Sequence, residues 1–206
     1  MTVEALALTI CLASSIFGRP AWTPEKCAER AGQIMSIAER HGLDPLLMVA
    51  VNIQECDMRE DVNAYVWVGG GGGTVRGGTA RGGTARGIEN TGRGRRVVAV
   101  DACPMGVRFW GARIWERHDP QELYELAAQR MERWKRWCER AHLGPEEHHF
   151  ISHYNQGNPV YASQVLGVLA AITHRKIELR HLLAFTDRTR EIVRRLTRTF
   201  RGWWTA

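Results

Sequence analysis

Apolar and polar positions first fall into helical repeats. Thr23-Pro24-Glu25 supplies an N-cap hydroxyl, a proline for the first helical position and an acid for the positive dipole end. Ala28, Ala31, Ile34, Met35 and Ala38 then recur on one face, and His41-Gly42 ends the pattern. Asp44-Pro45 repeats the start signal. Leu46, Leu47, Met48, Val49, Ala50, Val51 and Ile53 follow, apolar on every side, which predicts a central buried helix ending in Gln54-Glu55-Cys56-Asp57. Further helices are predicted over residues 120–141, 145–154, 159–174, 177–185 and 187–200, the last capped by Asp187. Between residues 60 and 105 the repeat lapses into a short β-prone run, Val97 to Val100, and a turn-like Asp101-Ala102-Cys103-Pro104-Met105-Gly106. The pattern predicts a mainly α chain with one small β or irregular segment.

Two stretches stand apart. Residues 69–94 hold 12 of the 21 glycines, and Arg-Gly-Gly-Thr-Ala occurs from Arg76 and again from Arg81. That composition predicts a flexible insertion. No Gly-Lys-Ser/Thr follows the glycines, which excludes a phosphate loop, and no aromatic residue interleaves them, which argues against RNA binding. Residues 1–22 carry an apolar run of about 13 residues from Ala5, the length of a signal-peptide core, with small Ala13 and Ser15 near its end. Glu4 precedes the run and no Lys or Arg does. An export leader and a first helix of the fold both fit. A lipoprotein signal does not, because bulky Ile10 precedes Cys11.

Composition and charge narrow the classes. The chain has 206 residues, 44% hydrophobic and 24% charged, as in globular proteins. No apolar run reaches the roughly 18 residues of a membrane span. Residues 175–206 carry nine Arg or Lys against three Asp or Glu, so the +6 of the whole chain belongs to this tail. The tail suits an anionic wall polymer, a lipid surface or nucleic acid, or is a solvated helix face. Its Ile192, Val193, Leu196 and Phe200 share one side, which fits a membrane surface or docking onto the domain. The chain divides into residues 1–22, a body over 23–175, and a basic amphipathic extension over 176–206. The five cysteines are Cys11, Cys27, Cys56, Cys103 and Cys138, with no C-x-x-C pair. Loss of a leader holding Cys11 leaves an even four, fit for two disulfides; five buried thiols are the alternative.

Candidate chemistry centres on Glu55. Its place at the end of an apolar helix predicts desolvation that raises the carboxyl pKa, which suits a proton donor. In "FISHYNQGNPVYASQVL" a phenol (Tyr154), a carboxamide (Asn155) and a glycine (Gly157) stand together between two helical patterns. These groups suit sugar hydroxyls and acetamides. His149 and His153, four apart with His148 and Glu146 near, are a weak metal constellation, since Phe150 stands where H-E-x-x-H needs Glu. No metal and no cofactor is expected. Trp134 and Trp137, among Arg130, Arg133 and Arg136, resemble a nucleic-acid or membrane face, but Trp at helical spacing is more often core with arginine stems over it.

Three segments resemble the soluble lytic transglycosylases of the lysozyme-like superfamily. "GLDPLLMVAVNIQEC" is similar to the family's entry turn, apolar helix and Glu-Ser, with Glu55 on the catalytic acid. "DACPMGVRFWG" resembles its glycine loop, with Gly106 on the second glycine and Met105 before it. "HYNQGNPVYASQVL" resembles Ala-Tyr-Asn-x-Gly and the helix after it, with Tyr154, Asn155 and Tyr161 on family positions. The match spans residues 25–172, interrupted by the glycine-rich insertion. Cys56 replaces the serine that supports the acid, and Arg108 and Phe109 replace Met and Gln of the glycine loop.

The resemblance implies a lysozyme-like α-helical domain that cleaves the β-1,4 bond between N-acetylmuramic acid and N-acetylglucosamine in peptidoglycan. Glu55 would act as acid and then base, leaving a 1,6-anhydro ring. Met105, Gly106, Arg108, Tyr154, Asn155 and Tyr161 would hold the glycan, and Cys56 would support the acid. The two cleft segments imply a Cys56–Cys103 disulfide, with Cys27–Cys138 as the second pair. The expected location is periplasmic or extracellular and the partner a peptidoglycan strand, with nucleic acid disfavoured. A muramidase using Asp57, Asp61 or Asp101 as second carboxylate, and a wall-binding protein of weak activity, are the alternatives.

Overall fold

The computed structural model describes residues 1–17, 21–60, 62–68, 74–81, 96–110, 118–144 and 149–204. The fold is mainly α. Among the described residues the α-helices are α1 Val3–Phe17, α2 Pro24–Arg40, α3 Pro45–Cys56, α4 Pro120–Arg140, α5 Pro159–Ile172, α6 Leu179–Leu183 and α7 Asp187–Trp204. A 3-10 helix, Phe150–Asn155, leads into α5. One four-stranded antiparallel sheet inserts between α3 and α4, with β1 Val62–Val68, β2 Thr74–Arg81, β3 Arg96–Ala102 and β4 Val107–Trp110 in the order β2-β1-β3-β4.

One capping device recurs. The side-chain oxygens of Thr23, Asp44, Asp119 and Asn158 accept from backbone N–H groups of Lys26, Leu46, Gln121 and Val160, and a proline follows each cap. The cap satisfies an orphan donor while proline occupies a position that needs none. Helix α7 departs from the expected cap. Asp187 is already helical, and Thr186 Oγ1 accepts from Thr189 N at 3.2 Å.

The core is built on α3, which is buried from Leu47 through Gln54. Helix α5 packs against α3 and α7, and a Cβ at Gly167 would collide with the Phe185 ring. Ile192, Val193, Leu196 and Phe200 are all buried, so the apolar side of the basic tail docks on the body. Arginines 190, 194, 195 and 198 face outward. No described helix is long and apolar enough to cross a membrane.

The ends of the chain and the insertion revise several expectations. Residues Val3–Phe17, within the stretch that fits both an export leader and a first helix, form α1. Leu6, Ile10 and Ala13 of α1 are fully buried, and Cys11 is bonded to Cys27. Cys27 therefore does not pair with Cys138, which lies buried in α4 as a thiol with its pKa raised by burial. The second disulfide is Cys56–Cys103, with Cα atoms 5.7 Å apart, as the resemblance implies. Within the glycine-rich segment, Thr74–Arg81 is a strand paired with β1 from Val62↔Arg81 to Val68↔Thr74. Strand pairing uses backbone groups that every residue carries, so glycine content alone misjudged this stretch. Residues 69–73 and 82–94 of the expected insertion lie outside the described residues.

Candidate active site

Helix α3 delivers Glu55 one residue before its end. Asp57 caps the helix in the left-handed region, at φ 50°, and its N–H donates to the Ile53 carbonyl at 3.1 Å. Glu55 is half-buried where the buried helix reaches the surface.

The turn between β3 and β4 meets it there. Gly106 adopts φ +63°, and a Cβ on it would lie 2.9 Å from Glu55 Oε2 and 3.1 Å from its Cγ. The backbone thus lies flat against the carboxyl group, an approach that only glycine permits. The Cys56–Cys103 disulfide ties the residue after the acid to the same turn. As half of a disulfide, Cys56 has no thiol hydrogen to offer Glu55; its support is a covalent tether.

The Tyr-Asn-x-Gly run closes the other side. Tyr154 Oη donates to the Met105 carbonyl at 2.8 Å and so clamps the 3-10 helix onto the glycine turn. Burial pushes the phenol pKa up, and the nearby negative charges of Glu55 and Asp101 push it further, against Arg130. The phenol stays a donor. Gln156 (φ 57°) and Gly157 (φ 79°) then turn the chain in the left-handed region, with Gly157 N donating to Ser152 O at 2.9 Å. This turn leaves Asn155 exposed on the cleft wall.

These pieces line one cleft of about 350 Å³, formed by Glu55, Asp101, Gly106, Arg108, Arg130, Trp134, His153, Tyr154, Asn155 and Gln156. Met105 and Tyr161, expected as glycan contacts, stand behind it. Met105 is fully buried and reaches Tyr154 by its carbonyl, and Tyr161 is buried with its ring 6.5 Å from that of Tyr154. Phe109 is buried and stacks on His118 at 3.8 Å.

The carboxylates separate clearly. Asp101 is 4% exposed and receives a bidentate pair from Arg108, Nε to Oδ1 at 2.6 Å and Nη2 to Oδ2 at 2.8 Å. The two residues are cross-strand partners of β3 and β4. Arg108 has its pKa raised by the bond to Asp101, against burial, with the Asp101 and Glu55 charges adding. Asp57 lines a different cavity, with Ile16, Phe17 and Arg195, and pairs with Arg188 at 3.0 Å. Asp61, the third candidate, lies outside the described residues.

The metal constellation comes apart. His149 caps the 3-10 helix, with Nδ1 accepting from Ile151 N at 3.2 Å, whereas the His153 ring stacks on Trp134 at 4.4 Å. His148 and Glu146 lie outside the described residues. Among the described residues no three His, Cys, Asp or Glu side chains gather as metal ligands.

Arg130, Trp134 and His153 line the cleft, whereas the sequence had suggested core under arginine stems for the first two and a weak metal pair for His153. Helix α4 turns Leu123, Tyr124, Ala127, Ala128, Met131 and Cys138 into the interior. Arg130, Trp134 and Trp137 share the stripe beside it, and that spacing was the available signal. No protein-family model, curated protein or solved structure matches the chain.

Proposed function

We propose that the chain is a lytic transglycosylase with a lysozyme-like body, cleaving the glycan of peptidoglycan through Glu55. The observation that carries this reading is the convergence on one carboxyl group. Glu55, the Gly106 turn and the Tyr154-Asn155 turn lie far apart in sequence and share one cleft. The other described carboxylate there, Asp101, is engaged by Arg108.

In this reading protonated Glu55 gives its proton to the glycosidic oxygen as the bond to the muramic-acid anomeric carbon breaks. The substrate's acetamide stabilises the cationic centre. Glu55, now a carboxylate, takes the proton of the C6 hydroxyl, whose oxygen closes the 1,6-anhydro ring. Asn155 is exposed to hold an acetamide or hydroxyl, and Tyr154 fixes the glycine turn against the acid. Most glycosidases that use water employ a second working carboxylate, and the Arg108 pair disfavours Asp101 in that role. Two disulfides suit an oxidising compartment and hence export to the wall.

The test is mass spectrometry of fragments released from purified sacculi by wild type and by Glu55→Gln. Anhydro-ended fragments from wild type alone are the expected result. Reducing ends would replace the lyase by a muramidase. Binding without fragments would leave a wall-binding protein.

A further inference from the structure

Helix α4 presents a second kind of chemistry to the cleft. Arg130 and Trp134 lie one turn apart and both line it, and Trp137 continues the stripe and touches the cleft residues Trp134 and His153. Trp134 is half-buried and Trp137 is 40% exposed, a large apolar group left open beside a polar cleft. Their rings meet edge to face, 6.0 Å apart at 84°, and His153 stacks parallel to Trp134 and edge-on to Trp137. Fixed aromatic faces at a cleft rim suit the C–H face of a sugar ring, which is flat and apolar while its rim is polar.

Arg130 adds a charge. It is half-buried, and among the described residues its guanidinium has one polar partner, the neutral carbonyl of Arg108 at 2.9 Å. Asp101 shares the cleft, yet both its oxygens are taken by Arg108. A neutral carbonyl leaves the rest of a guanidinium fork able to pair, and a planar carboxylate is the partner that fits it.

We infer that Arg130, Trp134, Trp137 and His153 form a subsite for a sugar ring that carries a carboxylate. The sugar would stack on the tryptophan corner and its acidic substituent would meet Arg130. This rests on the reading of the cleft as a glycan site and adds a basis for choosing among glycans. Wall strands carry a carboxylate on the lactyl ether or on the peptide attached to it, whereas chitin oligomers carry none.

The test uses the full chain bearing Glu55→Gln, so that bound glycan survives. Tryptophan fluorescence and calorimetry measure its affinity for tetra-N-acetylglucosamine and for a peptide-free wall tetrasaccharide. The acidic tetrasaccharide is expected to bind about tenfold tighter. Adding Arg130→Gln, which keeps a donor for the Arg108 carbonyl, should abolish that preference and leave chitin-oligomer binding within about twofold. Arg130→Lys should restore part of it, and Trp137→Ala should weaken both glycans by about tenfold. Equal affinity for the two glycans, or a preference that persists in Arg130→Gln with its melting temperature unchanged, overturns the subsite. An Arg130-dependent preference without cleavage of sacculi by wild type keeps the subsite and removes the lyase reading. Cleavage whose kcat/KM ignores Arg130→Gln does the reverse.

Discussion

Glu55 and Asp57 sit two residues apart at the end of α3 and look alike in sequence, yet they open onto different cavities. Asp57 meets cations: Arg188 at 3.0 Å, Arg59 at 3.5 Å, with Arg188 also donating to the Gln54 carbonyl at 2.6 Å. Glu55 meets a glycine backbone and a tyrosine-clamped turn, with the Arg108 charge close enough to feel its own. The first setting pairs a carboxylate with arginines and pins a helix end. The second holds a carboxyl group in place with the cleft in front of it, as proton transfer needs. The surroundings, rather than the residue type, distinguish the structural acid from the candidate catalytic one.

The sharpest way to break the comparison is to neutralise each acid in turn. Glu55→Gln should reduce release of soluble wall fragments by about a thousandfold or more, with an unchanged melting temperature. Asp57→Asn should leave turnover within about twofold and cost under about 1 kcal/mol, because Arg188, its nearer partner, is exposed and Arg59 partly so. Equal losses of activity would dissolve the distinction.

Gly106→Ala attacks the glycine side of the contrast. The new methyl would need a left-handed backbone and would press on the Glu55 carboxyl group. Displacement of a catalytic group by about 1 Å costs on the order of a hundredfold in rate. The left-handed conformation adds about 1–2 kcal/mol of destabilisation, visible in a denaturant midpoint. Near-normal activity would show that Gly106 does not position the acid.

Asp101→Asn asks whether Glu55 acts alone. A one-carboxyl mechanism should keep anhydro products and lose about tenfold or less, through the released Arg108. A muramidase would lose about a thousandfold and had made reducing ends to begin with. Product analysis of this variant separates the two directly.

Legibility divided along similar lines. The helices announced themselves because cap-plus-proline signals and apolar faces are local: Thr23-Pro24, Asp44-Pro45 and Pro120 gave their starts within a residue. Glu55, Gly106, Tyr154 and Asn155 were readable as a group from three motif-like segments, and the structure gathers them in one cleft. What was not readable depends on contacts between distant segments. Strand β2 owes its place to backbone pairing with β1, which the glycine-rich composition of Thr74–Arg81 conceals. Cys27 found Cys11 because α1 packs on α2, a tertiary fact. Trp134 looked like core because its stripe borders the core stripe, and only the placement of the 3-10 helix turns it toward the cleft.

The smallest expected effect lies far from the cleft, where another ionisable group is held by charge. His41 ends α2 and stands between two acids of α4, Nδ1 to Glu132 and Nε2 to Glu125, both at 2.7 Å. Both ring nitrogens must donate, so the imidazolium is the form that fits. Burial lowers its pKa, but the bonds to Glu132 and Glu125 outweigh this and hold it above its ordinary 6.5. The acids move the other way. Glu125 is held below its ordinary 4.5 by His41 and Arg40 against burial, and Glu132 by the bond to His41 and the charge of Arg136. The histidine's contribution is complete below 6.5 and fades as pH rises through its raised folded value. The acids' contributions are complete above 4.5 and fade as pH falls through their lowered folded values. The cluster therefore stabilises most between 4.5 and 6.5. Melting temperature should fall by about 2–4 °C from about pH 6 to about pH 8 in wild type, and by clearly less in His41→Gln. Identical pH profiles would mean that the docking of α2 on α4 does not depend on this charge, leaving its apolar contacts to carry it.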